Sequence, residues 1–213
     1  MAFLKERKKK FKNLKQPVLI VCEDSKSSVY YLKKKVRSKG LNPDDVHVSG
    51  DSDSSPISVV DFAIATRDKR KKSAKREGTL EYKEVYCVMD VDEHPTLRNA
   101  IIKARGNGLM PIVSNESFEL WYLLHFTNYS TAFKDRVILN KELSTYIKKN
   151  YDKGDDCMFE LLTKNGGSEA NALNIAQRLD ESARAESEQR DPLRNPSTEV
   201  YILINKINNF NKK

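Results

Sequence analysis

Four short apolar runs, each separated from the next by a helical pattern, restrict this chain to a small set of folds. Pro17-Val18-Leu19-Ile20-Val21-Cys22 and Glu84-Val85-Tyr86-Cys87-Val88-Met89 are strongly apolar, as strands covered on both faces are. Val46-His47-Val48-Ser49 is a weaker run of the same kind, and Met110-Pro111-Ile112-Val113-Ser114 is a fourth. Helical spacing follows each one. Val29, Leu32 and Val36 continue from Ser27 to a stop at Gly40, and Pro56 opens a second helix through Ile57, Val60 and Ile64. Pro95 opens a third, and Asn115-Glu116-Ser117 caps an apolar helix over Phe118 to Phe126. Strands alternating with helices imply right-handed crossovers and a parallel sheet. The expected fold is therefore α/β, with a parallel four-stranded sheet and helices on both faces. After residue 126 the pattern changes to helices at Leu139–Asn150, Asp156–Leu162, Ser168–Ala185 and Asn195–Asn209. The expected organisation is a basic flexible tail (1–16), an α/β core (17–126) and a helical C-terminal extension packed on it (127–213).

Three of the four runs end in polar clusters: Glu23-Asp24, Asp90-Val91-Asp92 and Ser114-Asn115-Glu116. In an open parallel sheet the strands' carboxyl ends line one edge, where ligands bind. Crowded carboxylates repel unless a cation lies among them, and oxygen-only ligands suit Mg²⁺ or Mn²⁺. Acids after strands also serve as helix caps, so Glu23 or a D-x-D alone is weak; the joint arrangement carries more weight. Glu119 sits one turn into an apolar helix, either as a fourth carboxylate of the site or as a hydrogen-bond anchor. Trp121 and Phe126 read as core, His125 as structural, and Asp51 and Asp53 as members of a flexible Ser-rich loop.

Charge narrows the partner. With 38 Lys+Arg against 30 Asp+Glu, the net charge is +8. It is concentrated in the tail, with Lys8, Lys9 and Lys10, and in a block from Arg67 to Arg76 that includes Arg70, Lys71 and Lys72. Such blocks are either solvated surface or contacts to nucleic-acid phosphates. A carboxylate site in a basic protein suits metal-assisted chemistry at a phosphodiester. Cys22, Cys87 and Cys157 are too widely separated for a zinc cluster and fit a reducing, cytoplasmic setting. No run is long enough to cross a bilayer, and the basic N-terminus lacks the apolar stretch of a signal peptide.

The motifs resemble those of the RloB family. The resemblance rests on Glu23 before a helix with Tyr30-Tyr31-Leu32, on Asp90-Val91-Asp92-Glu93-His94-Pro95, and on Ser114-Asn115-Glu116-Ser117-Phe118-Glu119-Leu120-Trp121. Asn174-Ile175-Ala176-Gln177 and Asn195-Pro196-Ser197-Thr198 also fit, so it spans nearly the whole chain. It implies a Toprim-like nuclease of restriction or phage-defence loci, often beside an AAA-type ATPase. In that pattern Glu23 does general acid/base work while Asp90 and Asp92 coordinate Mg²⁺. The family's E-G-x-x-T-E turn is here Glu23-Asp24-Ser25-Lys26-Ser27-Ser28, with Asp24 for the Gly and Ser28 for the second acid. Asp24 is then a substitute ligand, and Asn115 and Glu116 are second-rank candidates. The expected function is a Mg²⁺-dependent nuclease acting on DNA or RNA in anti-phage defence, or else a catalytically inactive nucleic-acid-binding or ATPase-partner subunit. A homo-oligomer is compatible with either.

Overall fold

A computed structural model describes residues 16–91, 94–129, 131, 135–186 (side chains through 182) and 193–212. Strand β1 (Val18–Cys22) leads to α1 (Ser27–Ser38), β2 (Val46–Ser49) to α2 (Pro56–Glu77), β3 (Glu84–Asp90) to α3 (Leu97–Gly106), and β4 (Met110–Asn115) to α4 (Glu119–Leu123). Helices α5 (Arg136–Ile147), α6 (Met158–Lys164) and α7 (Glu169–Glu186) follow, then β5 (Ser197–Thr198) and α8 (Val200–Asn209). The sheet order is β2-β1-β3-β4-β5, with β1 to β4 parallel. A mostly parallel α/β sheet is therefore what the alternating pattern produces.

Both faces of the sheet are covered, which is why its strands read as unbroken apolar runs. Leu19, Val21, Val85, Cys87 and Met89 pack against Val59, Val60 and Ala63 of α2 and Ala100, Ile101 and Ala104 of α3. The alternate residues Ile20, Cys22, Tyr86, Val88 and Ile112 face α1, α4 and the later helices, whose Leu139, Leu143, Ala172, Ala176, Leu203 and Ile204 are in the same core. Residues beyond 126 thus complete the core on one face.

Among the described residues the sheet has five strands rather than the four expected. Ser197–Thr198 was read as the start of a helix, but it pairs antiparallel with β4, Thr198 opposite Ser114 and Ser197 opposite Asn115. The Glu199 carboxylate accepts from Val113 N at 2.8 Å, and Ser114 and Thr198 share a hydroxyl hydrogen bond of 2.7 Å. A two-residue strand of Ser and Thr has no apolar alternation to reveal it; its pairing depends on a distant partner. Helix α4 also ends at Leu123 and continues to Phe126 only as turns. No helix among the described residues is long and apolar enough to cross a membrane.

Candidate functional site

Connections leave β1 and β3 in opposite directions, β1 towards β2 and β3 towards β4, so the two central strands flank the point where the strand order reverses. Open α/β sheets bind ligands in the crevice beyond such a point. Register then places the acids. Cys22 lies opposite Val88, and Glu23 N extends the ladder to Val88 O at 3.0 Å. Glu23 consequently sits beside the end of β3, where its Oε2 accepts from Asp90 N at 3.2 Å across 67 residues of sequence.

Asp90 is nearly buried, at 9% exposure. Its Oδ1 accepts from Phe118 N at 2.9 Å, and its Oδ2 accepts from Arg136 Nη2 at 3.1 Å. Glu119 is 1% exposed, and each oxygen has a donor at 2.6 Å, the Tyr151 hydroxyl on Oε1 and the Ser117 hydroxyl on Oε2. Burial and the negative charge of Glu119 push the Asp90 carboxyl well above the usual carboxylate range, against the pull of Arg136. Burial acts against ionisation of Glu119 too, but its hydrogen bonds from Ser117 and Tyr151 outweigh it and hold that carboxyl below its ordinary value. The charge of Glu119 thus opposes that of Asp90 at this edge.

A cleft of about 630 Å³ opens here, lined by Glu23, Asp24, Asp53 and Asp90 together with His94 and Lys153. Among the described residues the cleft offers carboxylate oxygens and no thiolate, the donors a hard divalent cation prefers, although Glu23, Asp24 and Asp90 do not bring three ligand atoms within 4.8 Å of one another. Glu23 and Asp90 are the residues that could hold such a cation.

The family model of RloB-like proteins matches residues 18–207. The chain belongs to the RloB-like family. No curated protein and no solved structure matches it. The RloB-like match takes in the whole cleft, from Glu23 to Lys153.

Other candidates lie elsewhere. Asp92 and the tail lysines Lys8, Lys9 and Lys10 fall outside the described residues. Asp24 lines the cleft, yet its carboxylate caps α1, accepting from Lys26 N at 2.8 Å, from Ser28 N at 3.2 Å and from the Ser28 hydroxyl. Asn115 and Glu116 turn away from Asp90 to the incoming β5 segment. The Asn115 amide donates to Leu193 O, and Glu116 accepts from the Asn195 amide at 3.0 Å. Helix α2 begins at the site edge with its Ser55 cap and runs 22 residues, roughly 33 Å, back along the sheet. Its basic block therefore lies at the opposite edge. Arg67 is bonded to Asp68 and to Asn107 O, Arg70 to Leu80 O and over the Tyr82 ring, and Lys71 and Lys72 are exposed.

The sequence reading missed Arg136, Tyr151 and Lys153, and placed Asp53 in a flexible loop. Ser52 ties that loop to the end of β1 through a 3.0 Å bond to Cys22 O, so Asp53 has a defined place at the cleft. One signal for Arg136 was present. A cation in the first turn opposes the helix dipole, which suggests an anionic partner such as Asp90. Tyr151 and Lys153 lie in a polar loop whose composition says nothing of where it folds. His125, read as structural, is 4% exposed, with Nδ1 2.9 Å from Trp121 O.

Proposed function

We propose that this RloB-like chain is a Mg²⁺- or Mn²⁺-dependent nuclease, with Toprim-like use of its sheet edge, acting on DNA or RNA as an effector of anti-phage defence. The observation that carries the reading is the meeting of Glu23 and Asp90 at the switch point of a parallel sheet. Bound metal supplies Lewis acidity and a water of lowered pKa. Glu23 holds or accepts the proton of the attacking water. Asp90, oriented by Phe118 N, would hold the metal with Asp92. Tyr151 and Ser117 fix Glu119 as a buried anion whose charge acts on Asp90.

A second reading, a catalytically silent partner of an AAA-type ATPase, draws support from Arg136 on Asp90 and from the use of Asp24 as a cap. Calorimetric titration of Mn²⁺ and Mg²⁺ into wild type and Asp90→Asn/Asp92→Asn separates the two, with circular dichroism confirming that the variant folds. Binding confined to wild type, joined to cleavage of a nucleic acid, is the expected result. Wild type that takes up neither metal supports the silent partner.

A further inference from the structure

The acidic cleft poses a problem for the nuclease reading. A polyanionic backbone must enter a space walled by Glu23, Asp53 and Asp90, while the exposed basic block of α2 lies at the other edge of the sheet. Even a dication on Glu23 and Asp90, with Arg136 beside Asp90, leaves one negative charge among Glu23, Asp53, Asp90 and Glu119 without a cation. Some cation fixed at the cleft has to face the incoming phosphate.

Lys153 lines this cleft. Among the described residues its ammonium makes no ion pair within 4.0 Å and no hydrogen bond, whereas Lys149, one turn of loop earlier, is paired with Asp155 at 2.6 Å. Lys34, Lys35, Lys103 and Lys206 are likewise each paired with an acid. Among the described residues, exposed lysines such as Lys71 and Lys72 also lack an acid partner, but at the cleft Arg136 docks on its carboxylate, Asp90. Lys153 does not, although its charge acts on both Asp90 and Glu119. Lys26 also borders the cleft, but it is exposed, whereas Lys153 is half-buried.

Lys153 also stands on a fixed support. On one side Tyr151 donates its hydroxyl to Glu119 Oε1 at 2.6 Å and its backbone N–H to the Ser144 hydroxyl at 2.9 Å. On the other, Gly154 N donates to Asp152 Oδ1 at 2.7 Å, and Cys157 N to Asp155 Oδ1 at 2.8 Å. A compact ammonium on a braced loop suits a phosphate oxygen, to which it gives a charge-assisted hydrogen bond.

We propose that Lys153 is the positioning residue for the nucleic acid, holding a non-bridging oxygen of the scissile phosphate against the Glu23–Asp90 centre. This rests on the nuclease reading. The full chain decides it, as wild type, Lys153→Met and Lys153→Arg, in two measurements. Mn²⁺ binding is followed by calorimetry, and binding of fluorescein-labelled single-stranded DNA and RNA by anisotropy over a salt series with Ca²⁺ present.

Removing a positive charge beside the carboxylates should leave Mn²⁺ binding intact or tighten it by roughly twofold to fivefold. The same change should weaken the oligonucleotide by about tenfold and reduce the salt slope by about 0.7, the loss of one phosphate contact. Lys153→Arg should restore most of the affinity. These opposite signs are not those of a structural role, which would weaken both. Loss of metal and oligonucleotide together in Lys153→Met overturns the inference. So does an oligonucleotide that binds metal-loaded wild type and Lys153→Met alike, or binds neither. Wild type that takes up no Mn²⁺ overturns the nuclease reading itself, and the inference with it.

Discussion

Gly50 is where a single atom decides the shape of the site. A Cβ there would lie 2.7 Å from Val29 Cγ2, 2.8 Å from Asp24 O and 2.9 Å from Ser25 Cα, two of them in the turn that carries Glu23 and Asp24. Those contacts are too close for any side chain, and the turn is held by the bonds of Asp24 into α1, so it yields only by moving Glu23. Gly50→Ala should cost about 1–3 kcal/mol in urea denaturation with an unchanged m-value. It should also weaken Mn²⁺ binding where the metal reading holds. A wild-type midpoint would show that the loop after β2 shifts freely. Nothing in Gly50-Asp51-Ser52-Asp53 announces that its first member is wedged against the turn after the neighbouring strand β1, so the sequence alone reads Asp53 as part of a flexible loop. Glu23 and Asp90 were legible because each follows an apolar run directly. Arg136, Tyr151 and Lys153 were not, since they reach the cleft through tertiary packing of later helices.

At the level of elements, α1 is held from three sides. Asp24 caps its first turn, Tyr122 of α4 donates its hydroxyl to Ser27 O at 2.7 Å, and Lys35 pairs with both oxygens of Glu169 on α7 at 2.6 Å. Lys35 is 3% exposed, so its ammonium relies on Glu169. Burial lowers its pKa despite that partner. The two halves of the pair are unequal. Glu169→Gln strands a charge in the core and should cost about 3 kcal/mol, partly offset if Lys35 releases its proton. Lys35→Met replaces the stem by an apolar one of similar length and leaves Glu169 with the Asn208 amide and some access to water. That change should cost no more than about 1 kcal/mol. Equal losses on urea titration would contradict the asymmetry. The helices themselves were legible from their periodicity, with ends off by a few residues, because caps such as Asp135 on Ile138 N set the boundary rather than apolar spacing. Strand β5 was not legible, since two polar residues become a strand only through the edge of β4 that receives them.

For the whole molecule, His125 links the core to solution pH. It packs edge-on against Trp121 and Tyr31, with ring centroids at 5.1 and 6.3 Å, where α4, α1 and the start of α7 converge. Burial pushes its pKa down to about 4 from an ordinary 6.5; nearby Glu169 acts to raise it and Lys35 to lower it. The folded chain therefore keeps this ring neutral through a range in which the unfolded chain binds a proton. The contribution of His125 is complete above about pH 6.5 and is lost as pH drops towards 4, by on the order of 3 kcal/mol. Glu169 has the same sense in a lower window. Burial opposes its charge, but Lys35 and Asn208 hold its pKa below the ordinary 4.5, so its contribution is lost as pH falls below that value. Asp90 has the opposite sense: its raised pKa makes its charge a cost at neutral pH, and protonation relieves that cost. Urea denaturation from pH 7 to pH 4.5 should therefore show a decline that His125→Phe flattens, because the phenyl ring fills the site without a titrating nitrogen. A slope that survives His125→Phe would assign the acid sensitivity to groups other than this histidine. Where the metal reading holds, Mn²⁺ should raise the midpoint chiefly at the neutral end, since acid removes the carboxylate charge on which the ion depends.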